Sequence, residues 1–394
     1  MKIAILTLRG ESNYGNLLQT YALQQTLVSM GHSVTILNRR SDYPTWNLFI
    51  LRLCSIIKGC FLRYVLFKKD VLIHKPWVEV YIARKGDVKD NECLHYFADR
   101  FLHLSPTLRN SRELYLFTQH NQFDAYVVGS DQVWREEYTP NIEDYFLSFL
   151  PSSDKSYKVA YAASFGTIDH PISVERIAKC IAGLKRFNAI SVREQEAVSY
   201  MHKVFGEVPK WVLDPTLLLD VSDYELLIEN EDKNVDAGIV TYFLDETVAK
   251  QKIAKCCGEI LDKPLTALMK GFREDGFRYL SISYWLAAFR SAAFVVTDSF
   301  HGCVFAIIFR KPFVVYANAE RGIDRFTSVL NMLGLQEHLV WSREDFLERK
   351  DSLLRKVDYG PIVEALELMK KESLGFLLSS LKNSYVEGEK MLCK

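Results

Sequence analysis

Four short stretches carry residues whose types and spacing suit chemistry on an anionic or hydroxylated ligand. The most informative is VVTDSFHGCVFAIIF, residues 295–309. An apolar run leads into Thr297, Asp298 and Ser299, all good helix caps. His301 and Gly302 then open an apolar helix. A phosphate placed there would meet free backbone N–H groups at the positive end of the helix dipole. The Ser299 hydroxyl and the His301 imidazole would be within its reach. A lone histidine is more often structural, but a capped strand-to-helix turn facing a cleft favours function.

The other three stretches also follow predicted strands. In SVREQEAV, residues 191–198, Arg193 offers a planar fork that fits carboxylate or phosphate. The competing reading is an ion pair with Glu194 or Glu196. In VVGSDQVW, residues 127–134, Gly129 permits an abrupt turn that projects Ser130, Asp131 and Gln132. Asp131 suits a base for a hydroxyl proton, and Trp134 offers a flat face for a sugar ring. Ser130 or Asp131 would serve equally as an N-cap. In ESNYGNLLQTYAL, residues 11–23, Gly15 lets a ligand approach the backbone. Asn13, Tyr14, Asn16 and Gln19 surround that turn, although Asn13 could merely cap and Gly15 merely pack. The stretch is not a GxGxxG fingerprint, so it gives no support for a dinucleotide. Arg290, Arg321 and Arg325 join Arg193 as guanidinium groups near these segments. No HxH or carboxylate cluster has metal-ligand spacing, so neither a metal nor a cofactor is expected.

The elements that must position these residues alternate. Residues 2–8 read as a buried strand, followed by a helix from Tyr14, capped by Ser12 or Asn13 and stopped at Gly31, and a strand at 33–37. Strands follow at 123–128, 158–163 and 189–192, with a helix over 172–186. The segment 207–220 carries two prolines and reads as a connection. A second alternating run has strands at 238–244, near 265, 293–297 and 312–316, with helices ending near 261 and over 282–291 and 301–309. A final helix is expected over 359–382. Such alternation implies an α/β fold of two Rossmann-like domains, with parallel sheets facing a cleft. The expected boundaries are 1–210, 211–358 and a helical segment 359–394. Ligands of open parallel sheets bind at strand C-termini, where the four stretches fall.

Composition agrees with a soluble globular chain. The 394 residues are too many for one ordinary core. Lysine plus arginine and aspartate plus glutamate number 49 each, so net charge argues against nucleic acid as a partner. Eight scattered cysteines with no CxxC pair read as reduced thiols of a cytoplasmic protein. The N-terminus lacks the longer apolar run of a signal peptide. Residues 46–73 mix Arg52, Lys58, Arg63, Lys68 and Lys69 with large apolar side chains. That suits a segment lying on the inner membrane face, but the charges break any spanning helix. Because the basic residues form no single helical stripe, a packed helical excursion is the favoured alternative.

In their order and spacing, NYGNLLQTYAL, FDAYVVGSDQVW, YAASFG at 161–166, SVREQEAV, VLDPTLLL at 212–219 and DSFHGCVFAIIFRKPFVVY at 298–316 resemble the polysaccharide pyruvyl transferase family. The resemblance covers most of residues 1–335. It implies a GT-B-like architecture, phosphoenolpyruvate as donor co-substrate, and a hydroxyl pair of a surface glycan or its lipid-linked precursor as acceptor. It maps the family's histidine onto His301 and its strand-end arginine onto Arg193. With the strand-end and capped-turn residues read above, the expected donor set is Arg193, Arg290, Ser299, His301, Gly302 and Arg321, on the side of the second unit. The expected acceptor set is Asn13, Tyr14, Gly15, Asn16, Gln19, Ser130, Gln132 and Trp134, on the first. His301 and Asp131 are the catalytic candidates, with His301 either an acid or a neutral donor to phosphate. Residues 42–110 and 345–394 carry no such motif, and acceptor identity is expected to depend on variable segments like these. A glycosyltransferase using a nucleotide sugar would share the architecture, as would a sugar-binding relative without activity.

Overall fold

The computed structural model describes residues 1–9, 13–40, 91–169, 171–268, 271–273, 276–317 and 322–392. The segment 46–73 and Arg321 lie outside the described residues. Among those described, no helix is long and apolar enough to cross a membrane.

Two parallel sheets organise the chain. The first runs β2 (Ser33–Ile36), β1 (Lys2–Leu6), β3 (Ala125–Val128), β4 (Tyr157–Ala163), β5 (Ala189–Val192) and β6 (Lys210–Trp211). The second runs β13 (Leu339–Val340), β12 (Phe313–Tyr316), β11 (Phe294–Thr297), β7 (Ile239–Tyr242) and β8 (Leu265–Ala267). A short antiparallel hairpin, β9 (Gly271–Arg273) with β10 (Gly276–Arg278), stands apart. The central strands β1, β3, β7 and β11 are almost wholly buried. Their unbroken Val, Ile and Ala runs suit strands covered on both faces. Both sheets therefore match the two Rossmann-like units expected from the alternation.

Each strand order reverses direction once. The reversal lies between β1 and β3 in the first sheet and between β7 and β11 in the second. Crossovers leave in opposite directions at such a point, which opens a crevice beyond the strand C-termini. The turns after β1, β3 and β11 carry the expected motifs, so topology alone brings them to these two crevices.

The helix Tyr14–Ser29 is buried on nearly every face, with 13 of its 16 residues enclosed. It lies between the first sheet and the second half. Tyr14 stacks on Trp285 at 5.5 Å and donates its hydroxyl to the Leu280 carbonyl at 3.0 Å. The segment 207–220 proves to be more than a connection, because β6 pairs with β5 and completes the first sheet. The final helix, Tyr359–Leu392, runs longer than expected and returns to the first half, where Ser373 Oγ accepts from Leu213 N at 3.0 Å.

Candidate active site

His301 sits in the first turn of the helix Phe300–Ile308, directly after β11. Ser299 caps that helix, its hydroxyl accepting from Gly302 N at 3.4 Å. The imidazole leans across to the first half and packs on Gly15, at the opening of the Tyr14–Ser29 helix. A methyl group built on Gly15 would stand 2.1 Å from His301 Nδ1. Glycine is required there for the approach of the imidazole from the opposite half. Two helix N-termini thus converge on one histidine, each presenting backbone N–H groups.

Arg193 follows β5 and is almost fully buried. Its Nε donates to Glu194 Oε1 and its Nη1 to Asp214 Oδ2, both at 2.9 Å. Its Nη2 stands 3.7 Å from Asp131 Oδ1 and has no hydrogen-bond partner. His301 Nε2 is equally buried and unpartnered, 3.8 Å from Asp214 Oδ2. The Arg193 guanidinium lies over the Phe300 ring at 4.7 Å, and Arg325 lies 5.8 Å from the same ring. Between Arg193, Asp214, Phe300 and Arg325 is a recess of about 20 Å³, room for one water.

Electrostatics follow from this crowding. Burial pushes the His301 imidazole below its usual range; Asp214 and Asp131 oppose that, while Arg193 and Arg325 add to it. Burial raises the Asp214 carboxyl, but His301, Arg193 and two bonds from Thr216 outweigh it and leave the group below the ordinary carboxylate range. Burial lowers the Arg325 guanidinium to about 10, helped by Arg193. Burial opposes the charge on Arg193, yet Glu194, Asp214 and Asp131 hold it firmly protonated. Among the described residues no group of three His, Cys, Asp or Glu side chains could hold a metal.

The structure brings Gly15, Asn16, Ser130, Asp131, Arg193 and His301 together. Asn16 Nδ2 donates to Asp131 Oδ2 at 3.0 Å, and Ser130 Oγ lies 3.5 Å from Asp214 Oδ2. Candidates assigned to separate acceptor and donor sides therefore share one cluster. The ion-pair reading of Arg193 also holds in part, since Glu194 takes one edge of its fork.

Other expected site residues serve packing. Trp134 is fully buried, stacks on Phe146 at 5.3 Å and donates to the Tyr145 carbonyl at 3.2 Å. Its face is covered by the core and is not open to a sugar ring. Tyr14 belongs to the aromatic cluster around Trp285. Gln19 bonds Thr7 and Thr20 beneath the first crevice. Asn13 caps its helix, accepting from Asn16 N at 3.2 Å. Gln132 is buried and accepts from Arg135 at 3.4 Å. Gly302 is bare to make room for Thr297, whose Oγ1 would stand 2.3 Å from an added methyl, so it faces the sheet and not a phosphate. Arg290 donates to the Lys233 carbonyl. It precedes β11 and so lies at the opposite sheet end from His301.

Sequence reasoning gave no role to Asp214 or Phe300. The signal for Asp214 was a carboxylate directly before a proline, inside the motif VLDPTLLL. Phe300 looked like any apolar residue of its helix.

Two Rossmann-like units, with buried cationic and carboxylate groups gathered where their crevices meet, define a GT-B-like fold with a charged cluster at its centre. The family model for polysaccharide pyruvyl transferase matches residues 13–320, and the chain belongs to that family. Among curated proteins no sequence matches it significantly. Among solved structures, a putative UDP-N-acetylglucosamine 2-epimerase from Listeria monocytogenes is similar in fold. It has TM-score 0.55 and 10% identity, covering 98% of this chain and 97% of its own. A spinosyn forosaminyltransferase matches at TM-score 0.45 and 11% identity, over 94% of both chains. The E. coli ADP-heptose LPS heptosyltransferase II matches at TM-score 0.39 and 11% identity, over 90% of this chain and 98% of its own.

Proposed function

We propose that the protein moves the pyruvyl group of phosphoenolpyruvate onto two hydroxyls of a glycan or its lipid-linked precursor, releasing phosphate. The observation that carries this reading is the pair of buried, unpartnered donor positions, His301 Nε2 and Arg193 Nη2, beside converging helix N-termini. A buried polar atom without a partner costs free energy, and an anionic substrate would relieve both.

In this mechanism His301 protonates the methylene carbon of the donor. The neighbouring carbon becomes electrophilic, and an acceptor hydroxyl adds to it while Asp131 takes the hydroxyl proton. The carbon–oxygen bond to phosphate then breaks, its electron pair leaving with phosphate. The second hydroxyl of the same sugar captures the cation and closes the ketal, its proton leaving with phosphate. Arg193 and the helix N-termini stabilise the negative charge of donor and leaving group. Asn16, bonded to Asp131, holds the base in place.

Thermal shift tests the donor. Phosphoenolpyruvate well above its dissociation constant should raise Tm by about 2–4 °C, and nucleotide sugars should not. Gly15→Ala, whose methyl would occupy the place of the imidazole, should lose the response. A shift with nucleotide sugars alone would favour glycosyl transfer and overturn the reading.

A further inference from the structure

Asp214 stands where the first sheet hands the chain to the second half, just beyond β6. Its carboxylate is fixed from both sides. Oδ1 accepts from Thr216 N at 3.0 Å and from Thr216 Oγ1 at 2.7 Å. Oδ2 accepts from Arg193 Nη1 at 2.9 Å, with Ser130 Oγ at 3.5 Å. His301 Nε2 approaches the same oxygen to 3.8 Å from the other half. The carboxylate is almost fully buried, so its charge is little screened. With both oxygens engaged, it has no position left for a substrate.

We propose that Asp214 is a positioning residue: it favours the protonated form of His301 and holds Arg193 so that one edge of its fork stays open. This rests on the reading of His301 as an acid. A neutral imidazole cannot protonate carbon, and burial alone would keep it neutral. Charged groups face the ring from several elements: Asp214 from the link after β6, Asp131 from the turn after β3, Arg193 from the end of β5 and Arg325 from the helix Asp324–Leu333. Asp214 and Asp131 are the groups among these that favour imidazolium. Asp214 is the one whose orientation is locked by hydrogen bonds to Thr216 on its far oxygen.

The test is an NMR titration of full-length, isotope-labelled protein without substrate, with His301→Gln assigning the ring signal. In Asp214→Asn the titration of His301 should move to lower pH by roughly one unit. In wild-type protein the carboxyl carbon of Asp214 should show an inflection at the midpoint of His301, a readout that needs no variant to fold. A residue that only supported the fold would lower Tm and leave the imidazole midpoint unmoved. An unmoved midpoint in folded Asp214→Asn, or no inflection in wild-type protein, overturns the proposal. Failure of wild-type protein to bind phosphoenolpyruvate would sink the donor reading and leave this result standing.

Discussion

His301 meets two opposed demands. The free protein buries its ring beside two arginines and at a helix N-terminus, all of which oppose a positive charge. The fixed charges of the cluster are Arg193 and Arg325 against Asp131, Asp214 and Glu194, which faces the two arginines. This set has no cationic surplus for a donor carrying a carboxylate and a phosphate. Binding such an anion should therefore raise the pKa of the ring from its depressed value. The sign follows directly. Between the depressed free value and the raised bound value, binding takes up a proton and affinity falls as pH rises; above the bound value affinity levels off. Isothermal titration with phosphoenolpyruvate at pH about 7.5, where a phosphate ester with pKa about 6 is already a dianion, should show proton uptake across buffers of different ionisation enthalpy. His301→Gln should abolish that uptake, because an amide donates a hydrogen bond but takes no proton. Equal heats in all buffers for wild-type protein would mean that the ring stays neutral and only anchors phosphate.

Elements with a clear period were legible in the sequence, and so were the turns that bring the charged residues together. The helix expected over 282–291 lies at Ile282–Ser291, and the strands around 125, 158, 189, 239, 294 and 313 are present. The turns after β3, β5 and β11 deliver Asp131, Arg193 and His301 because parallel strands all end on the same side of their sheet. What pattern could not give was direction within a turn. Trp134 and Asp131 are three residues apart, yet the chain carries one into the core and the other to the cluster. Asp131 takes a left-handed backbone, φ 73°, within that turn, a conformation uncommon outside glycine and not fixed by the apolar pattern. Nor could pattern show that Gly302 clears space for Thr297 while Gly15 clears it for His301, since both open a helix. The difference has an energetic consequence. Trp134→Ala empties a fully buried site between Phe146 and Phe165 and should cost about 3–5 kcal/mol of stability, measured by urea unfolding. Substrate KM values of the folded fraction should stay unchanged. A raised acceptor KM at wild-type stability would return Trp134 to the binding surface.

At the scale of the whole molecule, the site exists only while the two halves keep their relation, since Gly15 and Asp214 come from one and His301 from the other. Three features hold that relation. Tyr14 inserts from the first helix into the aromatic cluster of Trp285 and Tyr242. The main apolar core runs without a break from Ile3 and Leu18 through Trp285 and Phe305 to Leu377 and Leu381. The final helix closes the circuit, pairing Glu372 with Lys210 at 3.0 Å and setting Phe376 6.4 Å from the Tyr161 ring. Chains of several domains commonly unfold in steps, but a shared core removes the boundary at which a step would occur. Calorimetry of wild-type protein should therefore give one cooperative transition. Leu377→Asp forces a carboxylate into a fully buried position of the returning helix. It should split the transition in two and abolish the thermal response to phosphoenolpyruvate, because His301 no longer meets Gly15. Two resolved transitions in wild-type protein would show that the halves are held only by the link after β6, and that the His301 cluster forms when substrate draws them together.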